Sequence, residues 1–214
     1  MNYKHHIIHN FPQGYPFWKK ALANVLFFVF GTVIHHRKNL LNHSDCFWAT
    51  QKLRKGDVVL VGGLRRLSSM VIGDVVTHAM LYAGRRAFIH AVADGVEEDS
   101  LHTVFSEYDT IVILRVKRVH SVDIQKVIQF ARLQIGKPYN FEFNSQKGKF
   151  YCTELVYDAF RFAKVNIGLS LRKKRGHALL PYEYLNDYFE IIFLSHNLKW
   201  AHGKLEKDSE ASSV

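Results

Sequence analysis

Short, fully apolar runs alternate with helix-spaced apolar positions from Lys55 onward, a mixture that predicts an α+β domain. Residues 57–61 (DVVLV) follow a Lys-Gly turn and read as a buried strand. Residues 77–82 and 86–93 flank Ala83-Gly84-Arg85, a hairpin in which Gly84 supplies the unusual dihedral. Residues 110–116 (TIVILRV) and 189–194 (FEIIFL) are further strands, and residues 64–72 read as a short helix. Ser121 or Asp123 caps a helix running to about Ile135, with Ile124, Val127, Ile128 and Ala131 on one face and Gly136 as its stop. A second helix starts at Cys152, where Cys152, Leu155, Val156, Ala159, Phe160 and Ala163 recur at helical spacing.

The first 45 residues differ from the rest. They carry a histidine-rich start and an apolar run over residues 21–34, about fourteen residues against the roughly twenty that cross a bilayer as a helix. Lys19, Lys20, Arg37 and Lys38 bracket the run, and Phe17 and Trp18 stand at one end. A core helix, a segment at a membrane interface and a cleaved signal stay open, although the long preceding stretch and the lack of an Ala-x-Ala site disfavour the signal. The expected organisation is an N-terminal helical extension over 1–45, a catalytic domain over 46–202, and a polar, disordered tail over 203–214.

Composition narrows the partners. A chain of 214 residues with 48% hydrophobic content can bury one sizeable core. The formal net charge of +10 favours an anionic membrane surface or cell-wall polymer, while the lack of any helix-turn-helix, zinc-finger or RNA-binding signature argues against nucleic acid. The basic run Arg172-Lys173-Lys174-Arg175 reads as a solvated loop. Cytoplasmic, peripheral-membrane and cell-envelope locations all remain compatible. Cys46 and Cys152 are too far apart in sequence to suggest a disulfide framework or a structural zinc site. The pairs among His5, His6, His9, His35 and His36 lack a clear third ligand, and Glu97-Glu98-Asp99 reads as a solvated turn rather than a calcium loop. Asp57, Asp74 and Glu154 are expected to be structural or surface residues. No metal and no cofactor is expected.

Cys152 is the residue with chemistry. A thiol in the first turn of a helix meets the positive end of the helix dipole, which favours the nucleophilic thiolate. His78 and His90 can supply the base and its orienting partner if the hairpin allows it. With Tyr82 opposite Arg86 across a three-residue loop, His78 faces His90 directly; a two-residue loop would put them on opposite faces. The helix headed by Cys152 is then expected to pack on the histidine face. The Cys152 N–H is placed to donate to an oxyanion, and Tyr139 and Tyr151 are expected to line the substrate cleft.

The succession Gly56-Asp57-Val58-Val59, Thr77-His78-Ala79-Met80-Leu81-Tyr82, Phe88-Ile89-His90-Ala91, Gly136-Lys137-Pro138-Tyr139-Asn140 and Tyr151-Cys152-Thr153-Glu154-Leu155-Val156 resembles the circularly permuted NlpC-like cysteine hydrolases of the YiiX-like group, over about residues 55–165. In that group the histidine strand precedes the nucleophile, the reverse of the papain order. The resemblance implies a permuted papain-like fold, an antiparallel sheet packed against the helix carrying the cysteine, with Cys152 as nucleophile, His78 as base and His90 in the third, polar position. YiiX-like proteins often carry Glu there. His90, twelve residues after His78, looks more like the lecithin:retinol acyltransferase branch. The expected function is a thiol amidase or peptidase, acting on a peptide such as a cell-wall peptide through a thioester acyl-enzyme. A lipid acyltransferase or esterase, and a non-catalytic membrane-associated protein, are the alternatives.

Overall fold

A computed structural model describes residues 7–31, 41–63, 75–143, 148–171 and 178–208, with residues 27–31 as backbone only. Its centre is an antiparallel sheet. The chain runs through α1 (Phe17–Gly31), α2 (His43–Lys52), β1 (Val58–Gly62), β2 (His78–Gly84), β3 (Ala87–Val92) and β4 (Gly95–Ser100). It continues through α3 (Leu101–Glu107), β5 (Thr110–Val116), α4 (Ser121–Arg132), α5 (Cys152–Phe162), a 3-10 turn (Pro181–Tyr184), β6 (Phe189–Leu194), β7 (Leu198–Ala201) and β8 (Lys204–Lys207). Six strands pair in the order β4-β3-β2-β1-β5-β6, and β7 and β8 form a separate hairpin.

The period of two along each strand divides the core between the two faces of the sheet. Val58, Leu60, Ala79, Leu81, Ile89, Ala91, Val112 and Leu114 pack with Val127, Ile128 and Ala131 of α4 and with Leu155, Val156 and Ala159 of α5. The alternate residues Val59, Val61, Met80, Phe88, Ile111 and Ile113 pack with Ala49 of α2 and Val104 and Phe105 of α3. A strand covered on both faces loses its polar positions, which is why β1 reads as an unbroken apolar run. Asp57, at its head, is buried and gripped by a two-pronged Arg115 guanidinium, Nε to Oδ1 and Nη2 to Oδ2 both at 2.8 Å.

Several expectations change. The acidic group at 97–99 is not a solvated turn but part of β4, paired with β3 along its whole length. Gly95 begins β4 because nothing larger fits: a Cβ there would lie 2.4 Å from the Lys137 carbonyl oxygen, at φ +114°. A boundary at residue 45 falls inside α2, whose Asn42 cap accepts from the Asp45 N–H at 2.8 Å while Asp45 accepts from the Asn42 N–H at 3.1 Å. Asp45 also accepts from the His196 N–H at 2.9 Å, which ties α2 to the domain. The tail expected from 203 is structured as far as Lys207, because Leu198 and Leu205 of the β7–β8 hairpin reach the core. The helix read at 64–72, the basic run 172–175, Asp74, and His5, His6, His35 and His36 lie outside the described residues.

Candidate active site

The β2–β3 hairpin does not close as the sequence suggests. Its turn is the two-residue Arg85-Arg86, both at positive φ (52° and 62°), the backbone of a type I′ turn. Two residues alone would put the histidines on opposite faces. The pairing then slips between Tyr82 and Gly84, so that Tyr82 faces Phe88 and Leu81 faces Ile89. The extra residue, Ala83, restores the parity. Continued at this register, Met80 rather than His78 stands opposite His90, and the two imidazoles are diagonal neighbours on one face. They still meet: His78 Nε2 is 2.8 Å from His90 Nδ1.

His90 is buried, and its other nitrogen, Nε2, is 3.1 Å from Asp99 Oδ2 and 3.8 Å from Glu97 Oε1. β4 delivers both carboxylates because residues 97 and 99 project to the same side of the strand, while Glu98, on the other, approaches Arg132 at 4.0 Å. This order of contacts fixes the tautomers. A carboxylate only accepts, so the His90 Nε2 carries the proton; in the neutral ring its Nδ1 then accepts from the His78 Nε2–H. His78 Nδ1 then carries no proton, the form a general base requires. Tyr108 stacks parallel to the His78 ring, 3° between planes and 6.0 Å between centroids.

Cys152 is the first residue of α5. The helix packs on the sheet face opposite that of Met80 and Phe88, which His90 shares, and not on the histidine face as expected. The alternation along β2 and β3 requires this, since the helix partners are the odd-numbered Ala79, Leu81, Ile89 and Ala91. The sulfur meets the sheet at its edge instead: the backbone N–H of Ala79, next in chain to His78, is near enough to favour its charged form, as are those of Cys152 and Thr153. His78 is the first residue of β2, so the thiol arrives at the strand end that carries the imidazole. The helix start does not win the electrostatic contest anticipated for it. Burial raises the Cys152 thiol above its ordinary value, against the lowering effect of those N–H groups. The resting sulfur is therefore a protonated thiol that needs a base.

The start of α5 is braced on several sides. Thr153 Oγ1 donates to Leu179 O at 2.6 Å, and Tyr184 Oη donates to Thr153 O at 2.7 Å. Tyr151 is inside the protein, and its hydroxyl accepts from the Leu179 N–H at 3.2 Å; it is a strut for the helix rather than a lining of the cleft. Tyr139 is half-buried between Phe141 and Phe143, and its hydroxyl is raised well above the ordinary value by burial, then by the negative charge that Cys152 would carry. Glu154, expected to be structural or at the surface, is buried two residues from the thiol and accepts from Asn140 Nδ2 at 3.1 Å. Burial pushes its carboxyl up to about 7, Asn140 opposing and Asp158 adding to the rise.

Sequence reasoning passed over Asp99, Glu97, Tyr108, Tyr184 and Asn140. The two carboxylates had a signal, since Asp94-Gly95 is a hairpin dipeptide and the acidic residues after it alternate as a strand does. His90 Nε2 and the Glu97 and Asp99 carboxylates also form the group, among the described residues, whose donor atoms lie within 4.8 Å of one another and could hold a metal ion.

An antiparallel sheet whose histidine strand precedes a cysteine-headed helix is a permuted papain-like architecture, and enzymes of this class are thiol hydrolases. The chain belongs to the permuted papain-like amidase family, YaeF/YiiX, C92, whose model matches residues 52–181. The fold is similar to that of the metalloprotein yiiX from Escherichia coli O157:H7, with a TM-score of 0.57 and 19% sequence identity over 66% of this chain and 97% of that one. No curated protein matches the sequence.

Proposed function

We propose that this cysteine hydrolase is an amidase whose nucleophile is Cys152, whose base is His78 and whose orienting residues are His90 and Asp99. The observation that carries the reading is the run of contacts from Asp99 through His90 to His78, whose chain neighbour Ala79 lies near the sulfur. His78 Nδ1 takes the thiol proton as sulfur attacks the carbonyl carbon, and the carbonyl oxygen gains the electron pair. The N–H groups at the start of α5 face that developing charge. Collapse breaks the C–N bond, and the amine leaves with the proton from His78. Water, deprotonated by the same nitrogen, then cleaves the thioester and returns the thiol. Asp99, through His90, holds His78 in the basic tautomer and offsets the positive charge it gains.

Tyr139 lines the cleft in this reading, and a cell-wall peptide is the substrate the basic charge and the amidase family favour. Since the E. coli neighbour is described as a metalloprotein, the His90–Glu97–Asp99 group invites the same question. Those residues suit a divalent cation, which would supply a fixed positive charge there. It would occupy His90 Nε2 in place of the proton that Asp99 accepts, so a bound ion and this tautomer of His90 exclude each other.

Incubation of the protein with peptidoglycan fragments or with phospholipid, followed by intact mass measurement, tests the substrate class. An acyl adduct on Cys152 from the peptide, lost in Cys152→Ala, supports the reading. An adduct from phospholipid alone would replace it with lipid acyl transfer, and none from either would remove both.

A further inference from the structure

The amidase reading makes no use of α1, which is built unlike the rest of the molecule. One side of this helix is fastened to the domain. Ala23 is buried, and Asn24 accepts from the Ile8 N–H at 2.6 Å. Lys19 reaches Glu142 at 3.9 Å, and Glu142 in turn pairs with Lys149 at 3.5 Å in the segment leading to Cys152. The preceding segment is anchored separately, with the His9 N–H on Asp94 and Asn10 on the Asp94 and Gly136 carbonyls.

The other side of α1 is apolar and faces out. Trp18, Ala21, Leu22, Val25 and Leu26 are all exposed, Trp18 by 62% and Val25 by 58%, and they recur at the spacing of one helical stripe. Phe17, 85% exposed, extends the stripe at its N-terminal end. This is the inverse of a surface helix in a soluble domain, which turns its apolar side inward. Scattered exposed apolar residues need no explanation, but a contiguous stripe led by two aromatics does. At 15 residues the helix is about 22 Å long, short of the roughly 30 Å hydrocarbon core, and no helix among the described residues is long and apolar enough to cross a membrane.

Charge selects the occupant. Lys19 borders the stripe, Arg37 and Lys38 follow the helix in sequence, and the chain carries a net +10. Lys19 lies 5.6 Å from the Trp18 ring centroid, so a cation and an aromatic sit together at the edge of the stripe as they do at a lipid headgroup boundary. A second copy of the same chain would bring like charges together along this stripe. An anionic bilayer offers both an apolar layer and opposite charge.

We infer that the outward face of α1 docks in the plane of an anionic lipid bilayer, with Phe17, Trp18, Leu22 and Val25 in the acyl-headgroup boundary and the protein's net positive charge drawn to the lipid headgroups. The protein is then held at a membrane surface without spanning it. The segment before the nucleophile helix is carried there with α1, through Lys19 and Glu142.

The test is co-sedimentation of the full chain with vesicles of phosphatidylcholine alone and of phosphatidylcholine with about 30% phosphatidylglycerol, at low and high salt. Binding to the anionic vesicles, weakened at least tenfold by 0.5 M salt, is expected. The triple variant Trp18→Ser/Leu22→Ser/Val25→Ser should bind at least tenfold more weakly while keeping the far-ultraviolet circular dichroism and thiol activity of the wild type. Val122→Ser, which removes an equally exposed residue from α4, should bind as the wild type does. Equal sedimentation of the triple variant and the wild type would overturn the inference, as would wild-type protein that ignores anionic vesicles. A dimer in solution that the triple variant abolishes, without vesicle binding, would assign the stripe to a second copy instead. Vesicle binding does not involve Cys152, so Cys152→Ala should still dock, and loss of the amidase reading would leave this result untouched.

Discussion

Replacing Glu154 by Gln isolates the electrostatic cost of a buried carboxyl in the helix that Cys152 heads. The carboxyl is buried, two residues from Cys152, and is raised from its ordinary 4.5 to about 7. At ~1.36 kcal/mol per pH unit, that displacement comes to about 3 kcal/mol. Because the folded-state value lies above the unfolded one, the native chain holds a proton that the unfolded chain releases. The stability supplied by that proton is complete below pH 4.5, declines as pH rises, and is gone above about 7. Gln keeps the shape and an oxygen acceptor for Asn140 Nδ2 and the Tyr151 N–H but carries no charge at any pH. Urea unfolding followed by tryptophan fluorescence at pH 5, 6, 7 and 8 should show the variant nearly equal to wild type at pH 5 and up to about 3 kcal/mol more stable at pH 8. Comparing the two proteins at each pH cancels the contribution of Asp57, whose carboxyl burial also raises. A difference that does not change between pH 5 and 8 would refute the reasoning, since it would mean that Glu154 titrates alike in the folded and unfolded chains.

Asp99→Asn should lower kcat/KM about ten- to a hundredfold and shift the acidic limb of its pH profile, because an amide in place of the carboxylate removes the charge behind His90; an unchanged profile would dissociate Asp99 from the reaction. Arg85→Asn/Arg86→Gly relieves two positive-φ residues in the hairpin turn and should stabilise the protein by about 1–2 kcal/mol, read as a rise in Tm, with a fall in Tm counting against the turn assignment. Leu155→Ala removes a fully buried side chain between α5 and the sheet and should cost about 2–5 kcal/mol in urea unfolding. A loss below about 1 kcal/mol would mean that the helix is not seated as described.

The strands at 110–116 and 189–194 were legible residue for residue, because long β-branched runs bounded by polar turns have one reading. The histidine pair was legible only in part. Parity decides whether two strand residues share a face, and parity depended on a bulge at Ala83 that no pattern of apolar positions announces. The direct pairing of His78 with His90 was therefore off by two residues, while their shared face stands. The thiol was placed at the right helix position, but the balance between the N–H groups around it and its burial is a property of packing, and packing reverses the dipole argument. β4 was hidden by its composition: Glu97, Glu98 and Asp99 look like a solvated surface until Asp99 is seen to serve His90. α2 was hidden for a related reason, since His43–Lys52 carries little apolar periodicity and is held by its cap and by the contacts of Asp45 with His196.

The central claim is that His78 activates Cys152. Single-turnover acylation by p-nitrophenyl acetate, with the adduct located by peptide mapping, tests it most directly. The wild-type chain should release one equivalent of p-nitrophenol and carry the acetyl group on Cys152, with Cys46 unmodified. His78→Ala should acylate about 10²- to 10⁴-fold more slowly at neutral pH, the range by which a positioned base accelerates such a step. Equal rates in the two proteins, or an acetyl group found on Cys46 instead, would contradict the account.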